Sequence, residues 1–142
     1  MTQQYEPTVY FGELPTKEDA EILAGLITCW PHLKELFASN GRILNGNIPS
    51  HTVALRDGEK LVAHCGLLEK WLIADNNYAV LGLQQLFIMP DYRHQDVTKQ
   101  VLDACVVLAN RLKLDFLVGF AQAGICEFHR KSRLECLHTI VR

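Results

Sequence analysis

Apolar residues recur along the chain with a period that changes from one segment to the next, and the changes mark out the elements. Val9-Tyr10-Phe11 reads as a short first strand, closed by Gly12 and Pro15. Ile22, Leu23, Leu26, Ile27 and Trp30 then fall three and four residues apart, the stripe of one helix face. Thr16 is placed as that helix's N-cap, with Glu18 and Asp19 suited to the positive end of the first turn. Pro31 interrupts; His32 to Ala38 predicts a short second helix, and the Asn- and Gly-rich stretch Ser39 to Ser50 a loop. His51 to Arg56 leads through the tight-turn pair Asp57-Gly58 into Lys60 to Ile73, a hairpin. Asp75-Asn76-Asn77 turns the chain again, and Tyr78 to Met89 is a third long strand that Pro90 stops. From Asp96 to Leu112, the positions Val97, Val101, Leu102, Cys105, Leu108, Ala109 and Leu112 mark one face of an amphipathic helix. Phe116 to Phe120 is wholly apolar, as expected of a strand covered on both faces. Glu127 to Lys131 predicts one or two helical turns and Cys136 to Val141 a last strand.

The order β-α-α-β-β-β-α-β-α-β combines consecutive hairpins with a strand-helix-strand crossover. It predicts an α/β (α+β) fold, a mixed and mostly antiparallel central sheet flanked by helices. The 142 residues carry no repeat and no linker, so one domain, 1–142, is expected, with core enough to need no disulfide or metal staple. Hydrophobic residues at 49% and charged residues at 21% exclude disorder and coiled coil. A formal net charge of -2 gives no reason to expect nucleic acid or an anionic membrane as partner. The chain has no membrane-length apolar run, and Met1-Thr2-Gln3-Gln4-Tyr5-Glu6 does not open a signal peptide, so the expected location is the cytoplasm. Cys29, Cys65, Cys105, Cys126 and Cys136 are scattered through apolar segments and read as packing residues. His51, His64, His94, His129 and His138 lack metal-binding spacing, so no metal is expected. His64 beside Cys65 invites a nucleophile-base pair, but neighbours on a strand point to opposite faces. Trp71 and Tyr78 flank the second turn, at an exposed strand end or against a second subunit.

One stretch is more specific. Leu86-Phe87-Ile88-Met89-Pro90-Asp91-Tyr92-Arg93-His94-Gln95-Asp96-Val97-Thr98-Lys99-Gln100-Val101-Leu102 resembles the acyl-CoA-binding segment of the GCN5-related N-acetyltransferases. There a strand ends in a Val-x-Pro-x-Tyr-Arg-like turn, and a loop of the form Arg-Gly-Gln-Gly-x-Gly opens a long helix. Asp57 to His64 resembles that family's second hairpin, closest in wording to aminoglycoside 2'-N-acetyltransferases, and Phe128 to Glu135 its late Phe-Tyr-x-x-x-Gly-Phe segment. The resemblance spans about Val9 to Val141 and implies an acyl-CoA N-acyltransferase-like fold. It also implies transfer of an acyl group from acetyl-CoA to a small-molecule or peptide amine by direct attack in a ternary complex. Main-chain groups of Leu86 and Ile88 would pair with the pantetheine arm, Arg93 would sit beside the phosphates, and His94, Gln95, Asp96, Val97, Thr98 and Lys99 would form the cradle. The physics agrees, because a helix N-terminus offers unpaired N–H groups and a positive dipole end to a diphosphate.

This sequence departs from the pattern at all three glycines, now His94, Asp96 and Thr98. Asp96 either projects a like charge toward the diphosphate or caps the helix, taking donors that the cofactor needs. The strand carboxylate usual in the family is replaced by Gln84 and Gln85, and the late tyrosine by His129. His129 is therefore the expected acid for the departing thiolate, and His64 a residue of the acceptor pocket or a base acting through water. The competing reading is a domain of this family without transferase activity, serving as a binding or dimeric module. The family's seventh strand has no counterpart before Arg142, which leaves a sheet edge that a second copy could cover as a homodimer.

Overall fold

The computed structural model describes residues 3–43, 48–73, 75–93 and 96–119. The late helix expected at Glu127 to Lys131 and the strand at Cys136 to Val141 lie outside the described residues, as do Cys126, Cys136, His94, Gln95 and His129. Five strands form one sheet in the order β1 (Glu6–Phe11), β2 (His51–Asp57), β3 (Lys60–Ile73), β4 (Asn77–Ile88) and β5 (Phe116–Val118). All neighbours are antiparallel except β4 and β5. That parallel pair brackets α3 (Val97–Arg111), whereas α1 (Thr16–Cys29) and α2 (Lys34–Asn40) come between β1 and β2. The mixed sheet expected from the element order is the one observed.

The two faces bury different halves of the apolar pattern. Ile22 and Leu26 of α1 and Phe37 of α2 pack with Ala54, Leu61 and Phe87 on one face. On the other, Val97, Val101, Cys105 and Leu108 of α3 pack with Val53, Leu55, Ala63, Cys65, Leu67 and Leu81. Cys65 and Cys105 meet there as buried free thiols; a hydrogen bond with Cys105, together with burial, pushes the Cys65 thiol up, so it stays an inert packing group. His64 faces the opposite side, among the α1 residues, where its ring stacks on Phe87 with centroids 5.1 Å apart. Among the described residues no helix is long and apolar enough to cross a membrane, and no group of three His, Cys, Asp or Glu side chains could hold a metal ion.

Two local expectations are corrected. Thr16 is the first residue of α1 and Pro15 holds the cap position without a side-chain bond; the turn closes instead through Asp19 N–H to the Pro15 carbonyl at 2.9 Å. β5 is covered less than its apolar sequence implies. Leu117 packs toward α3, but Phe116 stays 41% exposed and meets Tyr78 edge-on.

Gly25 shows how closely α1 approaches the sheet. A Cβ there would lie 2.6 and 2.8 Å from two atoms of the Phe87 ring, which is held by His64 and Trp30. Overpacking at such a contact costs about 1–3 kcal/mol, and replacing a helical glycine returns about 1 kcal/mol. Gly25→Ala is therefore expected to lower the urea midpoint by a net cost of about 1 kcal/mol. A midpoint equal to or above the parent's would show that the ring moves aside freely.

Candidate active site

The middle of β4 departs from regular pairing. His64 pairs with Phe87 and Gly66 with Gln84, so Cys65 alone faces both Gln85 and Leu86, a bulge. Gln85 adopts φ +52, unusual for a residue with a side chain. Both ends of Gln85 are engaged: its carbonyl accepts from His64 Nδ1 at 2.9 Å, and its amide Nε2 donates to the Arg42 carbonyl at 2.8 Å. Gly66 fits the crowding here, since a Cβ would come within 3.2–3.3 Å of Gln84 and Pro49.

The parallel register of β4 with β5 covers only Val80 to Gly82, so Leu83 to Ile88 have no strand partner on that side among the described residues. Met89 N–H bonds to the Val62 carbonyl, and strand alternation then turns the main-chain groups of Ile88 away from β3. The Ile88 carbonyl accepts from Arg93 Nε at 2.9 Å and from Cys29 Sγ at 3.5 Å. Arg93 is exposed, and this bond holds its guanidinium at the end of β4.

A short 3-10 turn, Pro90–Tyr92, then delivers the chain to α3. Asp96 occupies the cap position of α3, but its carboxylate makes no capping bond, so the first-turn N–H groups are not claimed by that side chain. Its own charge is exposed. Val97 is buried in the core, so only its main chain is available to a ligand; Thr98 and Lys99 are half-buried, with Lys99 Nζ 2.7 Å from Asp103.

The α1 side of the bulge holds a buried polar group. His64 is fully buried and its pKa is lowered to about 4, chiefly by burial; the Gln85 carbonyl works in the opposite direction, and the Arg42 charge adds to the lowering. The imidazole is therefore neutral at pH 7, with its proton on Nδ1, because a carbonyl can only accept. Arg42 is 5% exposed and pairs through Nε with Asp19 of α1. The sequence reading missed Arg42. It is the one charged residue of the stretch read as loop from Ser39 to Ser50, a signal that could have singled it out. The structure thus brings His64 to the bulge, and Leu86, Ile88, Arg93, Asp96, Val97, Thr98 and Lys99 to one continuous border from β4 to α3.

The fold is that of the GCN5-related, acyl-CoA N-acyltransferase-like proteins. Solved structures of known enzymes share it over nearly the whole chain. Aminoglycoside N-acetyltransferase AAC(6')-Iy, solved in complex with CoA, superposes with a TM-score of 0.73 at 10% identity, covering 99% of this chain and 95% of that one. Glucosamine-6-phosphate N-acetyltransferase from Arabidopsis thaliana does so with a TM-score of 0.65 at 9% identity, covering 96% and 97%. Aminoglycoside 6'-N-acetyltransferase AAC(6')-Ih from Acinetobacter baumannii gives a TM-score of 0.61 at 13% identity, covering 96% and 97%. No family model matches the chain, and no curated protein matches its sequence.

Proposed function

We propose that the protein is an N-acetyltransferase that moves an acetyl group from acetyl-CoA to the amine of a small molecule or peptide by direct attack in a ternary complex. The observation that carries this reading is the Ile88 main chain, turned away from β3, close in sequence to the N-terminus of α3, which Asp96 leaves without a side-chain cap. An extended arm with hydrogen-bonding amides fits the first, and a diphosphate fits the second. Acetyl-CoA supplies the thioester when bound. The main chains of Leu86 and Ile88 would receive its pantetheine arm, with the Ile88 carbonyl shared with Arg93. The main chain from His94 to Lys99 would receive the phosphates, with Arg93 and Lys99 as the nearby cations. The solved CoA complex of this fold supports the assignment of donor, and the amine-acetylating enzymes among the structural neighbours support that of acceptor.

The chain's own groups divide the proton handling. Burial keeps His64 uncharged, so its unprotonated Nε2 is an acceptor that can orient an amine through an intervening water. Its low proton affinity suits it to orienting an amine that arrives neutral rather than to holding the proton at pH 7. His129 is proposed as the acid that protonates the leaving thiolate, since histidine's reference pKa near 6.5 suits that transfer, and the proton that the attacking amine sheds on becoming an amide leaves through water to solvent.

The test is thermal unfolding with acetyl-CoA. Ligand that binds only the native state at about one hundred times its Kd adds about 2.7 kcal/mol, so millimolar acetyl-CoA is expected to raise the Tm by several degrees. An unmoved Tm with both CoA and acetyl-CoA would overturn the proposal and leave a domain of this fold without transferase activity.

A further inference from the structure

Three buried side-chain atoms have no hydrogen-bond partner among the described residues: Arg42 Nη1, Thr52 Oγ1 and His64 Nε2. Native interiors leave few such groups unmet, because each one forgoes the hydrogen bonds that water would have made. The three belong to one neighbourhood. Thr52 pairs with Gly66 and His64 with Ala54, which makes Thr52 and His64 diagonal neighbours on the α1 face of β2 and β3. Gly66, opposite Thr52, adds no side chain of its own. The Arg42 main chain joins them through Gln85, whose amide holds the Arg42 carbonyl and whose own carbonyl holds His64 Nδ1, and the Arg42 guanidinium is near enough for its charge to act on the imidazole.

The hydrogen-bonding roles of these atoms identify what they fit. Arg42 Nη1 can only donate. His64 Nε2 can only accept, since the ring proton sits on Nδ1 against the Gln85 carbonyl. The Thr52 hydroxyl can do either. An anion suits Nη1 but is repelled by the lone pair on Nε2, and Asp19 already balances the Arg42 charge. A metal cation suits Nε2 but not the guanidinium. A neutral group with a lone pair for Arg42, a hydrogen for His64 and one bond left for Thr52 satisfies all three, and a buried water typically makes about three such bonds.

We propose that Arg42, Thr52 and His64 enclose a site for a single ordered water molecule, which joins the segment after α2 to β2 and β3 beneath the β4 bulge. The water would occupy the His64 Nε2 that the proposed activity also uses, but it is read in the protein free of acetyl-CoA and acceptor, so the site stands or falls separately from that activity. The experiment is a crystal structure of the full chain at a resolution that shows ordered solvent. The expected result is one water peak within about 2.7–3.2 Å of all three atoms. Empty space there, or protein groups bonded to the three atoms in its place, would overturn the proposal. In solution, the imidazole nitrogen resonances of His64 supply a second measurement. Thr52→Val keeps the shape of the side chain but removes one partner. It is expected to shift the Nε2 resonance while Nδ1 stays protonated, and an Nε2 resonance identical to the parent's would contradict the site.

Discussion

Lowering the pH from 7 toward 4 is expected to remove about 3 kcal/mol of stability through His64 alone. The side chain is fully buried against Phe87, and burial lowers its pKa to about 4 from the ordinary 6.5. Above pH 6.5 the imidazole is neutral in both folded and unfolded chains and contributes no pH dependence. Between 6.5 and about 4 the unfolded chain takes up a proton that the folded one refuses. Unfolding is then favoured by up to about 1.4 kcal/mol per pH unit. Below about 4 the folded imidazole titrates too and the loss levels off. Other histidines and the carboxylates titrate over part of the same range, so the measurement is a difference. His64→Asn retains a donor for the Gln85 carbonyl but does not ionise. Urea unfolding at several values from pH 7 to 4.5 is expected to show the parent losing its advantage over His64→Asn steadily as the pH falls. A constant difference across the range would refute a buried neutral histidine.

Removing the charge at position 96 is expected to tighten CoA binding about tenfold at low salt. Asp96 sits at the cap of α3, exposed and without a capping bond, where its charge gains from the helix dipole but opposes an incoming diphosphate. Unit charges roughly 7 Å apart in a mostly aqueous setting repel by about 0.6 kcal/mol per pair, and the two charges of a diphosphate bring this to about 1.2 kcal/mol. Asp96→Asn removes the charge and keeps a side chain able to cap. Calorimetry should show the gain in affinity shrinking as salt rises toward physiological strength, because exposed charges are screened. The folded protein is expected to lose no more than about 1 kcal/mol, from the dipole term. Equal affinity of parent and variant would mean that the phosphates, if bound, lie away from α3.

The structure also shows where local patterning suffices. The stripe from Ile22 to Trp30 places α1 because three- and four-residue spacing leaves a helix one apolar face, and that face packs on Phe87 and Ala54. Asp57-Gly58 marks the β2–β3 turn because Gly58 takes φ +63 there. The border from Ile88 to Lys99 was legible for the same reason: a strand, a proline stop and a helix start follow one another without long-range help. The bulge was not. Nothing in Gln84-Gln85-Leu86 announces a left-handed residue, since Gln85 owes that conformation to bonds with His64 and Arg42, residues 21 and 43 positions away.

Sequence alone determined the element order from β1 to β5 and the apolar stripes of α1 and α3, because each depends on spacing within a dozen or so neighbouring residues. Tertiary structure decided the rest. It placed a bulge in β4, withheld the Asp96 carboxylate from the helix cap, buried Arg42 from a loop-like stretch and fixed the proton of His64 on Nδ1. Those outcomes depend on which distant groups compete for the same hydrogen bonds and the same water-free space, and that competition exists only once the sheet has closed on its helices.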